Sequence, residues 1–273
     1  LRTLFQCDVV DRTGLILDIF ALHAQSKEAT LQVELALTTY LKPRLAGLGK
    51  TLNQQGGGIG TRGPGEAKLE TDSRLIDNRI NRLKKEIKKV AKQRQVQSSF
   101  RRKNNTPLVS IVGYTNAGKS TLLEKITSSK TYVANELFAT VDSLQRELRI
   151  DEITEPIIIS DTVGFIQKLP HHLINAFYST LEEVTQADIL IHVIDSAHPN
   201  VINVVETANN IITDLNINNT PIFYVFNKWD LICKPNAIKT QFQDLIPSVF
   251  LSATHPETFS SFFTQLDQLL DQF

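Results

Sequence analysis

The sequence predicts an α/β chain: a three-layer α/β/α domain over residues 104–273, preceded by a helical hairpin over 27–103 and the remnant of an N-terminal α/β domain over 1–26. Three observations lead there. Beyond Asn104, short apolar runs alternate with segments of helical length, the pattern of a mostly parallel sheet covered on both faces. Upstream, two long segments with helical periodicity flank a glycine-rich block. Glycine-bearing polar loops follow several of the apolar runs, where open α/β sheets bind their ligands.

Taken in order, residues 7–20 (CDVVDRTGLILDIF) read as strand material, with Asp11 to Gly14 as a turn. The chain begins at Leu1 and has no methionine, so its natural start is expected upstream. Residues 27–48 read as a helix whose stripe is Leu31, Leu35, Thr38, Leu41 and Leu45, with Pro43 as a potential kink. The block QQGGGIGTRGPGE at 54–66 is too rich in glycine for a core strand. Residues 66–99 read as a second helix, with Leu69, Ile76, Ile80, Leu83, Ile87 and Val90 in a heptad-like rhythm. A helix that long needs a partner for its stripe, and the first helix is the nearest one. A solvated connector between domains is the plainer alternative.

In the second domain, strands are expected at 107–114, 144–150, 156–161, 187–195 and 248–253, a strand plus loop at 221–230, and helices at 119–128, 171–186, 200–215 and 256–272. Composition narrows the class further. No apolar run approaches the roughly 18 residues of a membrane span. Cys7 and Cys233 are far apart and show no metal-ligand spacing, as in reduced cytoplasmic proteins. The net charge is zero, yet Arg74 to Lys103 holds twelve Lys or Arg against Asp77 and Glu86, a surplus of ten that the rest of the chain balances. Such separation suits a polyanion partner at one end.

Gly113 to Ser120 (GYTNAGKS) matches GxxxxGK[ST] between an apolar strand and a helix, the context that a P-loop requires. Tyr114, Thr115, Asn116, Ala117, Gly118 and Thr121 belong to its phosphate-facing backbone. Lys119 is expected on the β- and γ-phosphates and Ser120 on Mg²⁺. The fold is then a P-loop NTPase G domain. Asp161 to Gly164 (DTVG) follows the next apolar strand; Asp161 is a candidate metal partner and the Gly164 N–H a γ-phosphate sensor. Between them, Thr140 in FATVD is the expected switch threonine, with Thr131 as rival. Asn227 to Asp230 (NKWD) selects guanine, because a carboxylate accepts from N1–H and the exocyclic amine together, whereas adenine has no such donor pair. Asn227 would tie this loop to the P-loop, the stem of Lys228 would cover the base, and Ser252 and Ala253 would form a further base contact, with the Ala253 N–H meeting O6.

Together these residues resemble the HflX family of ribosome-associated GTPases, within the translation-factor-related GTPases. The marks are QGGGIGTRGPGE, LETD at 69–72, VGYTNAGKST, LFATVD, DTVGFIQKLPH and FNKWD. The resemblance implies a cytoplasmic enzyme that hydrolyses GTP to GDP with Mg²⁺, binds ribosomal RNA of the large ribosomal subunit and splits stalled or vacant ribosomes. It is expected to be a monomer. Asn116 resembles the P-loop asparagine of potassium-activated GTPases, which implies K⁺ against the phosphates; a loop-stabilising hydrogen bond is the alternative. Phe165 stands where many GTPases carry a water-positioning glutamine, so either turnover is slow or the missing group comes from elsewhere. His171 and His172 are expected to be surface or packing residues. Two other readings stand beside the enzyme: a GTP-gated binding module with little turnover, and an RNA-dependent NTPase that also accepts ATP.

Overall fold

The computed structural model describes residues 2–7, 9–53, 64–103, 106–127, 144–149, 156–162, 164–165, 184–215, 217 and 220–271. The chain divides between Val96 and Gln97 into two compact units. Among the described residues no helix is long and apolar enough to cross a membrane.

The first unit is helical from its start. A single turn, α1 (Arg2–Phe5), precedes α2 (Arg12–His23). This corrects the strand reading of 7–20. What looked like a turn is a helix N-cap: Asp11 Oδ1 accepts from the Gly14 N–H at 2.8 Å. LILDIF then buries Ile16, Leu17 and Phe20 on one helical face while Leu15 stays exposed. The same carboxylate accepts from the Tyr40 hydroxyl and from Arg44, each at 2.5 Å, and the Arg44 guanidinium lies 3.4 Å over the Tyr40 ring. The Tyr40 and Gly14 hydrogen bonds, helped by Arg44, hold the Asp11 carboxyl below its usual range. The cap thereby fastens α2 to α3 (Lys27–Asn53).

The buried face of α3 also departs from the expected stripe. Ala29, Gln32, Val33 and Ala36 join Leu31 in the interior, while Leu41 is 47% exposed. Small residues permit close approach of α2, whose Phe20 has no exposed surface. The second long helix, α4 (Pro64–Lys103), forms as expected. Among its described side chains Leu83 is buried, and Arg79 pairs with Glu34 and Lys42 with Asp77. These pairs run in opposite order along α3 and α4, as in an antiparallel hairpin. Both are substantially exposed, so they set register more than stability.

The second unit is built on a six-stranded sheet. Its strands are β1 (Leu108–Gly113), β2 (Leu144–Leu148), β3 (Ile157–Asp161), β4 (Ile189–Asp195), β5 (Ile222–Asn227) and β6 (Ser248–Phe250), in the order β2-β3-β1-β4-β5-β6. All pairings are parallel except β2 with β3. On one face Val109, Ile111, Ile191 and Phe223 pack with Leu122 and Leu123 of α5 (Lys119–Thr127) and Phe262 and Leu266 further along the chain. On the other, Val112 and Leu190 meet Ala208 and Ile212 of α6 (Val201–Asp214), and Ile194 and Phe226 meet Val205 and Phe242. This is the expected three-layer arrangement.

The differences are local. A short helix, α7 (Pro235–Gln241), stands between β5 and β6, where the sequence pattern predicts no element. The strand expected to 253 stops at Phe250, and the final helix divides into a 3₁₀ turn (Pro256–Thr258) and α8 (Ser260–Leu270). Most of the helix expected at 171–186 lies outside the described residues.

One core residue carries a testable consequence. His192 in β4 has no exposed surface, its ring centroid lies 5.7 Å from that of Tyr224, and neither ring nitrogen has a hydrogen-bond partner among the described residues. Burial, and secondarily the Lys119 charge, lowers its pKa from 6.5 to about 4. The unfolded chain therefore binds a proton more readily. Stability contributed by neutral His192 is present above pH 6.5 and is lost as pH falls toward 4, by about 3 kcal/mol in total. Urea midpoints between pH 7 and 4 should fall more steeply for the wild type than for His192→Leu; equal slopes would refute this origin.

Candidate functional site

The P-loop residues occupy the turn from β1 into α5. Gly113 has φ +142° and Gly118 φ +96°, values that side chains rarely adopt. A Cβ on Gly113 would strike the Val193 carbonyl, and one on Gly118 would strike Asn227 Nδ2. Asn116 takes φ +62° without being glycine. The N–H groups of Lys119, Ser120 and Thr121 lie in the first turn of α5, where an α-helix leaves its donors open to an anion. Lys119 is 6% exposed and its ammonium donates to the Tyr114 carbonyl at 2.9 Å. Burial pushes its pKa below the usual lysine range, and the nearby Asp161 carboxylate opposes that shift.

Asp161 ends β3 with no exposed surface and accepts from Ser120 Oγ at 2.6 Å. These two residues, both expected on one metal from the sequence, lie 41 positions apart, and the fold brings them together. A hydroxyl and a carboxylate at the lip of a phosphate loop are hard oxygen donors, a set that fits Mg²⁺ shared with phosphate oxygens. Gly164 lies against the P-loop: a Cβ there would come within 2.8 Å of Thr115 Cα and 2.9 Å of Lys119 Nζ. The Phe165 N–H donates to the Gly113 carbonyl at 2.9 Å, and the Thr115 N–H donates to the Phe165 carbonyl at 3.2 Å. The Phe165 side chain is 5% exposed and packs with Val112, Val184 and Leu190. Thr140, its rival Thr131, His171 and His172 lie outside the described residues.

The NKWD residues close the other end. Asn227 is 2% exposed; its Nδ2 donates to the Ala117 carbonyl at 2.7 Å, and its Oδ1 accepts from the Ala253 N–H at 2.8 Å. The first bond is the tie expected from the sequence. The second differs from expectation, because the Ala253 N–H assigned to a base carbonyl is here engaged by Asn227. Asp230 is exposed, and its carboxylate accepts from Ser252 Oγ. Ser252 is buried and also lies 3.1 Å from His255 Nδ1. Lys228 takes φ +60° and its ammonium reaches Asp195 Oδ2 at 2.6 Å.

Sequence reasoning missed Asp195, Ser196 and His192. Asp195 ends a parallel strand, so the rule that ligands gather at carboxyl ends could have flagged it. Ser196, whose N–H donates to the Asn227 carbonyl at 3.0 Å, gave no such signal. Nor did His192, a lone histidine inside an apolar strand.

Two family models match the chain: a GTP-binding GTPase middle region over residues 23–101, and a 50S ribosome-binding GTPase over residues 108–228. The GTPase HflX of Caldanaerobacter subterraneus subsp. tengcongensis is 53% identical over 224 residues, spanning 82% of this chain and 52% of that protein. The GTPase HflX of Escherichia coli is 47% identical over 232 residues, spanning 85% and 54%. The chain thus spans about half the length of these curated relatives. Among solved structures, a GTP-binding protein from the hyperthermophilic archaeon Sulfolobus solfataricus in complex with GDP superposes with a TM-score of 0.58 at 27% identity, covering 97% of this chain and 73% of that one. With the P-loop, DTVG and NKWD residues gathered at one edge of a G-domain sheet, and with relatives this similar, the chain belongs to the HflX family of GTPases.

Proposed function

We propose that this chain binds GTP and GDP at the carboxyl edge of its sheet, hydrolyses GTP with Mg²⁺, and does so in association with the large ribosomal subunit. The observation that carries the reading is the pair of direct ties among the three motifs: Ser120 to Asp161 at 2.6 Å and Asn227 to the Ala117 carbonyl at 2.7 Å. Phosphate and base subsites are thereby fixed at one separation, which favours a complete nucleotide over free phosphate or free base.

The roles follow from the chemistry of each group. P-loop N–H groups and Lys119 bind the β- and γ-phosphates, and an arriving polyphosphate supplies the counter-charge that the buried ammonium lacks. Ser120 and Asp161 would hold Mg²⁺, which neutralises charge on the phosphate oxygens. Thr140 and the Gly164 N–H respond to the γ-phosphate. Asp230, braced by Ser252, reads the donor edge of guanine. Asn116 is a candidate to hold K⁺ beside the phosphates, where a fixed cation stabilises developing charge.

Phe165 favours a second reading, a GTP-gated module with little turnover of its own. Its buried side chain offers no hydrogen bond to an attacking water. The arm over 27–103 is the proposed RNA-binding element, since Lys84, Lys85, Lys88 and Lys89 are all exposed on one helix, α4, where clustered cations favour phosphate contacts. That partner puts the work in the cytoplasm. The match of residues 108–228 to a 50S ribosome-binding GTPase family supports the large subunit over other polyanions.

Four results are expected. Asp230→Asn should weaken GTP by about tenfold or more and improve xanthosine triphosphate, because two hydrogen bonds to a charged acceptor are lost; unchanged preference would remove the base assignment. Thr140→Ala should slow phosphate release without weakening GDP binding, and replacing Na⁺ by K⁺ at constant ionic strength should accelerate the wild type. Wild-type turnover in Thr140→Ala would exclude the switch role, and indifference to K⁺ would exclude the cation at Asn116. On sucrose gradients the chain should follow the large subunit in preference to the small one, more strongly with a non-hydrolysable GTP analogue. Added salt, or glutamate at the four lysines, should weaken that binding; equal binding to both subunits would refute the partner.

A further inference from the structure

The carboxyl end of β4 backs the base-reading loop directly. Asp195 stands in register with Asn227, and the Ser196 N–H donates to the Asn227 carbonyl at 3.0 Å. The two carboxylate oxygens of Asp195 have different duties. Oδ1 accepts from the Ala197 N–H at 3.0 Å, closing the turn after the strand. Oδ2 receives the Lys228 ammonium at 2.6 Å. The side chains of Lys228 and Asp195 are only 27% and 18% exposed, so the pair is shielded from the screening that weakens surface ion pairs.

Lys228 is unusual at its other end too. Its φ of +60° places a non-glycine residue in the left-handed region, a conformation kept only where its surroundings hold it. Neighbouring hydrogen bonds do so: the Lys228 carbonyl accepts from the Leu231 N–H at 3.0 Å, and the Trp229 N–H donates to the Leu251 carbonyl at 3.1 Å. The lysine is therefore fixed at both its Cα and its Nζ. Its four methylenes are held between two anchors instead of sampling the many rotamers of a free lysine.

We propose that Asp195 is a positioning residue for nucleotide binding: by tethering the Lys228 ammonium, it holds the lysine stem as a preformed apolar wall for the face of the purine. This rests on the guanine-site reading above and deepens it. The benefit is preorganisation. Side-chain entropy is lost in the folded protein before the nucleotide arrives, so less is lost on binding. The positive charge is also neutralised at the back of the loop, which leaves the stem to meet the base.

The test is release of a fluorescent N-methylanthraniloyl GDP from the full chain, chased with excess unlabelled GDP. Four proteins are compared: wild type, Asp195→Asn, Lys228→Met and the double variant. Asparagine keeps an oxygen for the Ala197 N–H but loses the charge; methionine keeps most of the stem but loses the ammonium. Each single variant should release GDP about tenfold faster than wild type, the scale of one charge-assisted hydrogen bond. The double variant should be no faster than the singles, because the tether can be lost only once. An unchanged rate in Asp195→Asn overturns the proposal. So does a double variant showing the product of the two single effects, since Asp195 would then act through the turn alone. Matching urea midpoints for wild type and Asp195→Asn support a local effect, whereas a loss of stability that accounts for the faster release would also overturn it. Failure of the underlying site reading looks different: the wild type would not retain GDP, and Asp230→Asn would not shift preference toward xanthosine diphosphate.

Discussion

Asn227 joins two loops that the sequence separates by 110 residues, and the geometry of the site depends on it. Its amide donates to the P-loop through the Ala117 carbonyl and accepts from the Ala253 N–H, so one buried side chain sets the spacing of three loops. In a dry interior each of those bonds is costly to leave unmade, which makes the arrangement stiff. The glycine at 118 is part of the same constraint, because a Cβ there would occupy the place of the Asn227 amide nitrogen. The strands supply the rest. β1, β3, β4 and β5 are parallel, so their carboxyl ends, and the loops that leave them, open on one edge.

A second polar layer lies just below the loops. Ser110 and Ser160 share a hydrogen bond of 2.8 Å between β1 and β3, and the Thr162 hydroxyl donates to the Ile111 carbonyl at 2.7 Å. These fully buried contacts hold the P-loop strand to the DTVG strand in one register. The Phe165 backbone continues that pairing as a bridge with Tyr114, and its side chain is anchored in the α6 face of the core. The residue that replaces a glutamine thus has a structural task in this chain, which accounts for an apolar side chain at the mouth of a polar site.

The site was more legible than the helices around it. Gly113, Gly118, Lys119, Ser120, Asp161, Asn227 and Asp230 stand out because their motifs have fixed internal spacing and follow apolar strands. The apolar β1, β3, β4 and β5 were readable as continuous buried runs. LILDIF was not, because a short apolar run fits a strand or a buried helix equally, and only the Asp11 cap decides between them. The α3 seam was hidden for a different reason: it is built on Ala29 and Ala36, whose packing value comes from small size, while the more apolar Leu41 faces outward. The Asp195–Lys228 pair and the engagement of the Ala253 N–H are tertiary choices with no periodic signature.

The central claim is that the three motifs make a single guanine-nucleotide site whose two halves are locked together by Asn227. Calorimetric titration of the wild type and Asn227→Ala with GDP, inorganic pyrophosphate and ATP tests it most directly. The expected result is one tight GDP site per wild-type chain, much weaker ATP, and a loss of GDP affinity in Asn227→Ala that far exceeds any loss of pyrophosphate affinity. Equal wild-type affinities for ATP and GDP, or GDP binding unaffected by Asn227→Ala, would contradict it.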